Sequence, residues 1–259
     1  MPGKGASMSA QLQAHLSLLR YAARTDTLER LHESIEAEIA RMVDEIRRAE
    51  EIGPEEYAEH VNETSRLLIE ELLGVAMTAA QVYLTGIRCR VVGLANAYRR
   101  EVKTELTLGG IPALDPSEEK GYCLFKYTCE PQCQSGYTPI EAINAIANYW
   151  KHHKEWPTTW TFGSEWSSLE WNEEKKGIYK KTIEIVTALG MARSGVWNMQ
   201  VAVKELGAEG DSYDLGPVRH VLRRWTASLL REIEVQIMAA PKRMSLPSNE
   251  FPPMSHRPV

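Results

Sequence analysis

Apolar side chains recur at spacings of three and four along most of this chain, the signature of helices with one buried stripe. Leu28, Leu31, Ile35, Ile39, Met42 and Ile46 mark the first such run, and the spacing predicts a helix from Thr27 to about Glu51. Asp26 and Glu29 resemble a capping box at its start, and Gly53 closes it. Pro54 fits the first turn of a second helix, whose pattern continues to about Thr107 with a bend expected near Gly74. From Leu72 to Ala97 this helix is apolar or small on nearly all sides, as expected of the central member of a bundle. Later stripes predict helices at Thr138 to about Trp156, Glu173 to Leu189, Gly195 to Leu206 and Pro217 to Ala240. The last carries Val218, Leu222, Trp225, Leu229, Ile233 and Ile237.

Between these stripes the pattern breaks. Residues 108–137 hold Gly109, Gly110, Pro112, Pro116, Gly121, Pro131 and Gly136, so an irregular insertion is expected, with a short strand at Gly121 to Tyr127. Trp156, Trp160, Phe162, Trp166 and Trp171 form a Trp-rich loop. The expected fold class is all-α, a multi-helix bundle forming one domain over residues 26–240. A flexible segment is expected before it (1–25) and a Pro-rich tail after it (241–259).

Composition narrows the function classes. A formal charge of -5 argues against a protein that coats nucleic acid over its whole surface and leaves room for a local basic groove. Met1 to Ala10 has no apolar core of a secretory signal, and the stretch Leu72 to Ile87 is short and interrupted by Thr78, Gln81 and Thr85. A cytoplasmic protein with no membrane association is therefore expected. Four cysteines do not make a disulfide scaffold.

The Thr138 helix carries the most chemistry. Thr138, Pro139 and Glu141 write a capping box. Ile140, Ile143, Ile146, Ala147 and Trp150 fall on one arc, while Glu141, Asn144, Asn148 and His152 align on another of roughly 80°. A histidine poised near neutral pH with a carboxamide one turn earlier suits general acid-base work or a phosphate contact; a plain solvent-facing stripe is the competing reading. Two asparagines one turn apart are poor helix formers, which favours contacts over mere solvation. Candidate catalytic residues are His152, Asn148, Glu141 and Lys151, with Asn144, His153, Arg88, Arg99, Arg100 and Trp160 as candidate binding residues. Cys123, Cys129 and Cys133 are an alternative zinc set that needs a fourth ligand; otherwise no metal and no cofactor is expected.

Ala147-Asn148-Tyr149-Trp150-Lys151-His152 resembles the Arg-polar-x-x-x-His signature of the HEPN superfamily of helical proteins, with Ala147 where that family carries arginine. The resemblance implies a metal-independent, RNA-directed effector of a bacterial defence or toxin-antitoxin system, acting as a homodimer with His152 as general acid or base. Lys151, His153 or one of Arg88, Arg90, Arg99 and Arg100 would then supply the missing positive charge. The alternative expectation is a non-catalytic helical interaction subunit of a larger protein assembly.

Overall fold

A computed structural model describes residues 8–113, 122–127, 133, 135–152, 173–191, 198–207 and 213–244. The chain is an all-α bundle: α1 Ala10–Ala22, α2 Asp26–Ile52, α3 Glu55–Val102, α4 Pro139–His152, α5 Glu173–Ala188, α6 Asn198–Glu205 and α7 Gly216–Met244. A two-residue hairpin, β1 Thr107–Leu108 and β2 Ile111–Pro112, and a 3-10 turn, Tyr122–Lys126, fill part of the connection between α3 and α4.

The 48-residue α3 is the axis of the molecule, and α1, α2, α4, α6 and α7 all pack on it. It runs through Gly74 as one unbroken helix. At Gly74 the Trp150 indole occupies the place a side chain would fill. Leu73, Ala76, Met77, Ala80, Leu84, Ile87, Val91 and Leu94 are fully buried along it. By length and composition α3 is also apolar enough to cross a membrane, with mean hydropathy 1.5 over a window of which 50% is buried among the other helices.

Several boundaries differ from the sequence pattern. Residues 10–22, expected to be flexible, form α1, which buries Leu12, Leu16 and Leu19 and is capped by Ser9 Oγ accepting from Leu12 N at 3.1 Å. Thr25, not Asp26, is the N-cap of α2, and its hydroxyl donates to the Glu29 carboxylate at 2.5 Å instead of capping a backbone N–H. The buried stripe of α2 runs Leu28, His32, Ile35, Ile39, Met42 and Ala49, whereas Leu31 is 40% exposed. Tyr122–Lys126 is 3-10 turn, not strand; Leu124 and Phe125 are buried, and the Tyr127 hydroxyl just beyond lies 2.9 Å from Ser228 Oγ on α7. The real strands flank Gly109 (φ 56°) and Gly110 (φ 80°), a Gly-Gly turn that matches hairpin twist. Gln236 of α7 holds the hairpin by accepting from Thr107 N at 3.1 Å and donating to Thr107 O. The final helix continues to Met244, past the expected start of the tail.

The stripe of α7 is the one the spacing predicts: Val218, Leu222, Trp225, Leu229, Ile233 and Ile237 are all buried. Trp225 Nε1 donates to Tyr127 O at 3.0 Å, so a fully buried indole keeps its polar handle satisfied.

Candidate functional site

The Thr138 capping box forms as written. Glu141 Oε2 accepts from Thr138 N at 3.1 Å, and Thr138 Oγ1 accepts from Glu141 N at 3.1 Å. The same hydroxyl donates to Phe125 O at 2.6 Å, which ties the start of α4 to the 3-10 turn. The Glu141 carboxylate thus serves the helix N-terminus, where both the free N–H groups and the dipole favour it.

One turn on, the polar line faces the central helix and not solvent. Gln81 Nε2 of α3 lies 2.7 Å from Asn148 Oδ1, 2.9 Å from Asn144 Oδ1 and 3.3 Å from Asn144 O. Its two hydrogens are shared among three acceptors, and Gln81 itself is only 7% exposed. The two asparagines are therefore an interhelical clamp. Sequence spacing put them on one line; the missing signal was Gln81, a lone amide within an otherwise apolar stretch of α3.

Further along, Trp150 covers Gly74: a Cβ built on Gly74 would fall 2.0 Å from Trp150 Cε2. Since Gly74 meets Trp150 while Gln81 meets Asn144 and Asn148, α3 and α4 run antiparallel. His152 closes α4, half-buried, with its ring 5.4 Å from that of Tyr179 on α5 and tilted by 45°. Lys151 is exposed. Ala147, at the position of the HEPN arginine, is fully buried in the core.

The expected arginines do not converge on His152. Arg88 lies fourteen residues beyond Gly74, about 21 Å along the helix axis, and Arg99 is about 38 Å beyond it. Because the helices are antiparallel, those steps lead away from the C-terminal end of α4. Arg88 sits over the Phe125 ring at 5.8 Å, and Arg90, Arg99 and Arg100 are exposed. His153, Trp160 and Cys129 lie outside the described residues. Cys123 is buried and its thiol donates toward Pro112 O and Ala113 O at 3.7 and 3.9 Å. Burial, with Glu205 nearby, pushes the Cys133 thiol up to about 11. Among the described residues no three His, Cys, Asp or Glu side chains gather as a metal would require.

The spacing argument missed two buried ionisable groups. Glu70 of α3 accepts from Met199 N at 2.8 Å and Gln200 N at 3.3 Å, capping α6 across the chain. Burial raises its carboxyl to about 7 against the pull of those N–H groups. His32 is fully buried, its Nε2 3.2 Å from Ala76 O and its Nδ1 without a partner; burial lowers it to about 4. Arg219, largely buried, pairs with Glu36 at 2.6 Å and the exposed Arg223 pairs with Glu29 at 2.8 Å, both linking α7 to α2.

The open surface near α4 is a groove of about 600 Å³ between α3 and the end of α4, lined by Glu71, Val75, Thr78, Ala79, Val82, Trp150 and Lys151. Neither Asn148 nor His152 is part of its lining. Val75 and Val82 of that lining are exposed by 49% and 68%, and Leu68, seven residues before Val75 on α3 and outside the lining, by 44%.

No protein-family model, no curated protein and no solved structure matches this chain, so its function is argued from the geometry above.

Proposed function

We propose that this chain is a non-catalytic helical interaction subunit that binds a helical protein surface through the outer face of α3. The observation that carries this reading is the exposed apolar row Leu68, Val75 and Val82, the last two of which line the Trp150 groove. Burying three such side chains in a partner contributes up to roughly 1.5 kcal/mol each, so the rest of the interface supplies the remaining affinity. Polar groups that a catalytic reading needs are engaged in holding the bundle together. Glu141 caps α4, and the amides of Asn144 and Asn148 accept from Gln81.

A photo-crosslinking residue placed at Val82 in the full chain tests the reading in the producing cell. A discrete protein adduct at that position is expected, and it should persist when His152→Ala is added. A chain that yields no protein adduct from Val82 rules the reading out.

A further inference from the structure

Acidic charge on α3 is concentrated toward its start. Residues 55–71 hold six glutamates against one arginine, whereas residues 72–87 hold no charged side chain. Glu55 and Glu56 open the helix, where its dipole favours acid. That effect fades within one turn, so it does not account for Glu63 and Glu71, exposed about two and about four turns further in. Local pairing does not account for them either. On α2, Arg41 binds Glu38 and Glu45, and Arg47 binds Asp44. On α3, Glu55, Glu59 and Glu63 stand at four-residue steps, so like charges adjoin one another at a cost to the helix. Among the described residues no cation pairs with Glu63 or Glu71.

Glu63, Leu67, Glu71 and Val75 follow one another at four-residue steps, with Leu68 beside them, and all five are exposed. Acid thus alternates with apolar surface along one line of the helix. Glu71 also lines the Trp150 groove, so this stretch is continuous with the docking face. The two carboxylates stand about 12 Å apart along the axis, too far for one metal ion to bridge, and they repel nucleic acid or an acidic membrane. Their complement is a helix that carries lysine or arginine beside its apolar stripe. We propose that the occupant of this face is a cationic amphipathic helix of another protein. Its apolar stripe rests on Leu67, Leu68 and Val75, and its basic side chains meet Glu63 and Glu71. The proposal rests on the docking reading above and names its partner's chemistry.

Fluorescence anisotropy of the full chain against two labelled amphipathic helical peptides is the test, one built of leucine and lysine, the other of leucine and glutamate. The leucine–lysine peptide should bind and the leucine–glutamate peptide should not. Glu63→Lys with Glu71→Lys should weaken the first about tenfold and admit the second. That double variant should melt no lower than the wild type, since it turns the Glu59–Glu63 repulsion into an attractive pair. Leu67→Ser with Leu68→Ser should also weaken the leucine–lysine peptide about tenfold, as a docked apolar stripe requires and diffuse charge attraction does not. Binding of neither peptide, equal binding of both, or leucine–lysine binding indifferent to the charge reversal overturns the proposal. The Val82 crosslink keeps the two readings apart. An adduct of two copies of this chain, or one whose yield survives Glu63→Lys with Glu71→Lys, ends the cationic partner and keeps the docking role. No adduct ends both.

Discussion

Gly74 of α3 yields its side-chain position to the indole of Trp150 on α4, and a single added carbon there would lie 2.0 Å from Trp150 Cε2. This contact sets how closely the two helices approach, and it forms one wall of the groove. Gly74→Ala gains helix propensity of about 1 kcal/mol in isolation. Here overpacking wins: a net loss of about 1–3 kcal/mol is expected in urea denaturation. In a Trp150→Ala background the same change should become stabilising, and a reversal of sign in that double-mutant cycle is the check.

The clamp from Gln81 to Asn144 and Asn148 makes a second expectation. Gln81→Leu leaves two amide oxygens facing an apolar side chain, so a loss of about 2–4 kcal/mol is expected. Asn148→Ala removes only one acceptor and should cost about 1 kcal/mol. Equal effects from the two substitutions, measured by denaturant unfolding, would show that the clamp contributes little.

How much of this was legible beforehand follows from range. The capping box at Thr138 and Glu141 is local, three residues apart, and spacing alone located it. So did the six buried positions of α7, because one clear periodicity dominates there. The partner of Asn148 is sixty-seven residues away on α3, and a one-dimensional pattern gives no pairing between elements. The polar line was therefore found, but its direction, toward a neighbouring helix, was not. His32 shows a different failure. It shares a helical face with Leu28 and Ile35, yet residue type suggested Leu31 as the buried position. Gly109 and Gly110 carried a hairpin signal that a reading of glycines as mere breakers passed over.

Buried His32 makes stability depend on acid. Its folded value of about 4 lies below the usual 6.5, so the unfolded chain binds a proton that the folded chain refuses. Its contribution is intact above pH 6.5 and is lost as pH falls toward 4, by roughly 3 kcal/mol at most. Glu70 acts with the opposite slope. Held at about 7 against an ordinary 4.5, it takes stability away as pH rises from 4.5 to 7. His32→Leu should therefore flatten the acid limb and leave the Glu70 decline in view; an unchanged acid limb in thermal melts between pH 4 and 7 contradicts this assignment.

His152→Ala distinguishes the interaction reading from an RNA-directed one. His152 lies against Tyr179 at the end of α4, outside the groove, so its removal should change stability by less than about 1 kcal/mol and leave association untouched. Purified wild type and variant should be indistinguishable when incubated with RNA. Cleavage by the wild type that disappears in His152→Ala would restore the catalytic expectation.

The most direct measurement compares photo-crosslinking from Val82, on the exposed ridge, with crosslinking from Glu50, exposed on α2 away from the groove. The account predicts a single strong protein adduct from Val82 and only background from Glu50. Equal, diffuse labelling from both positions would contradict it.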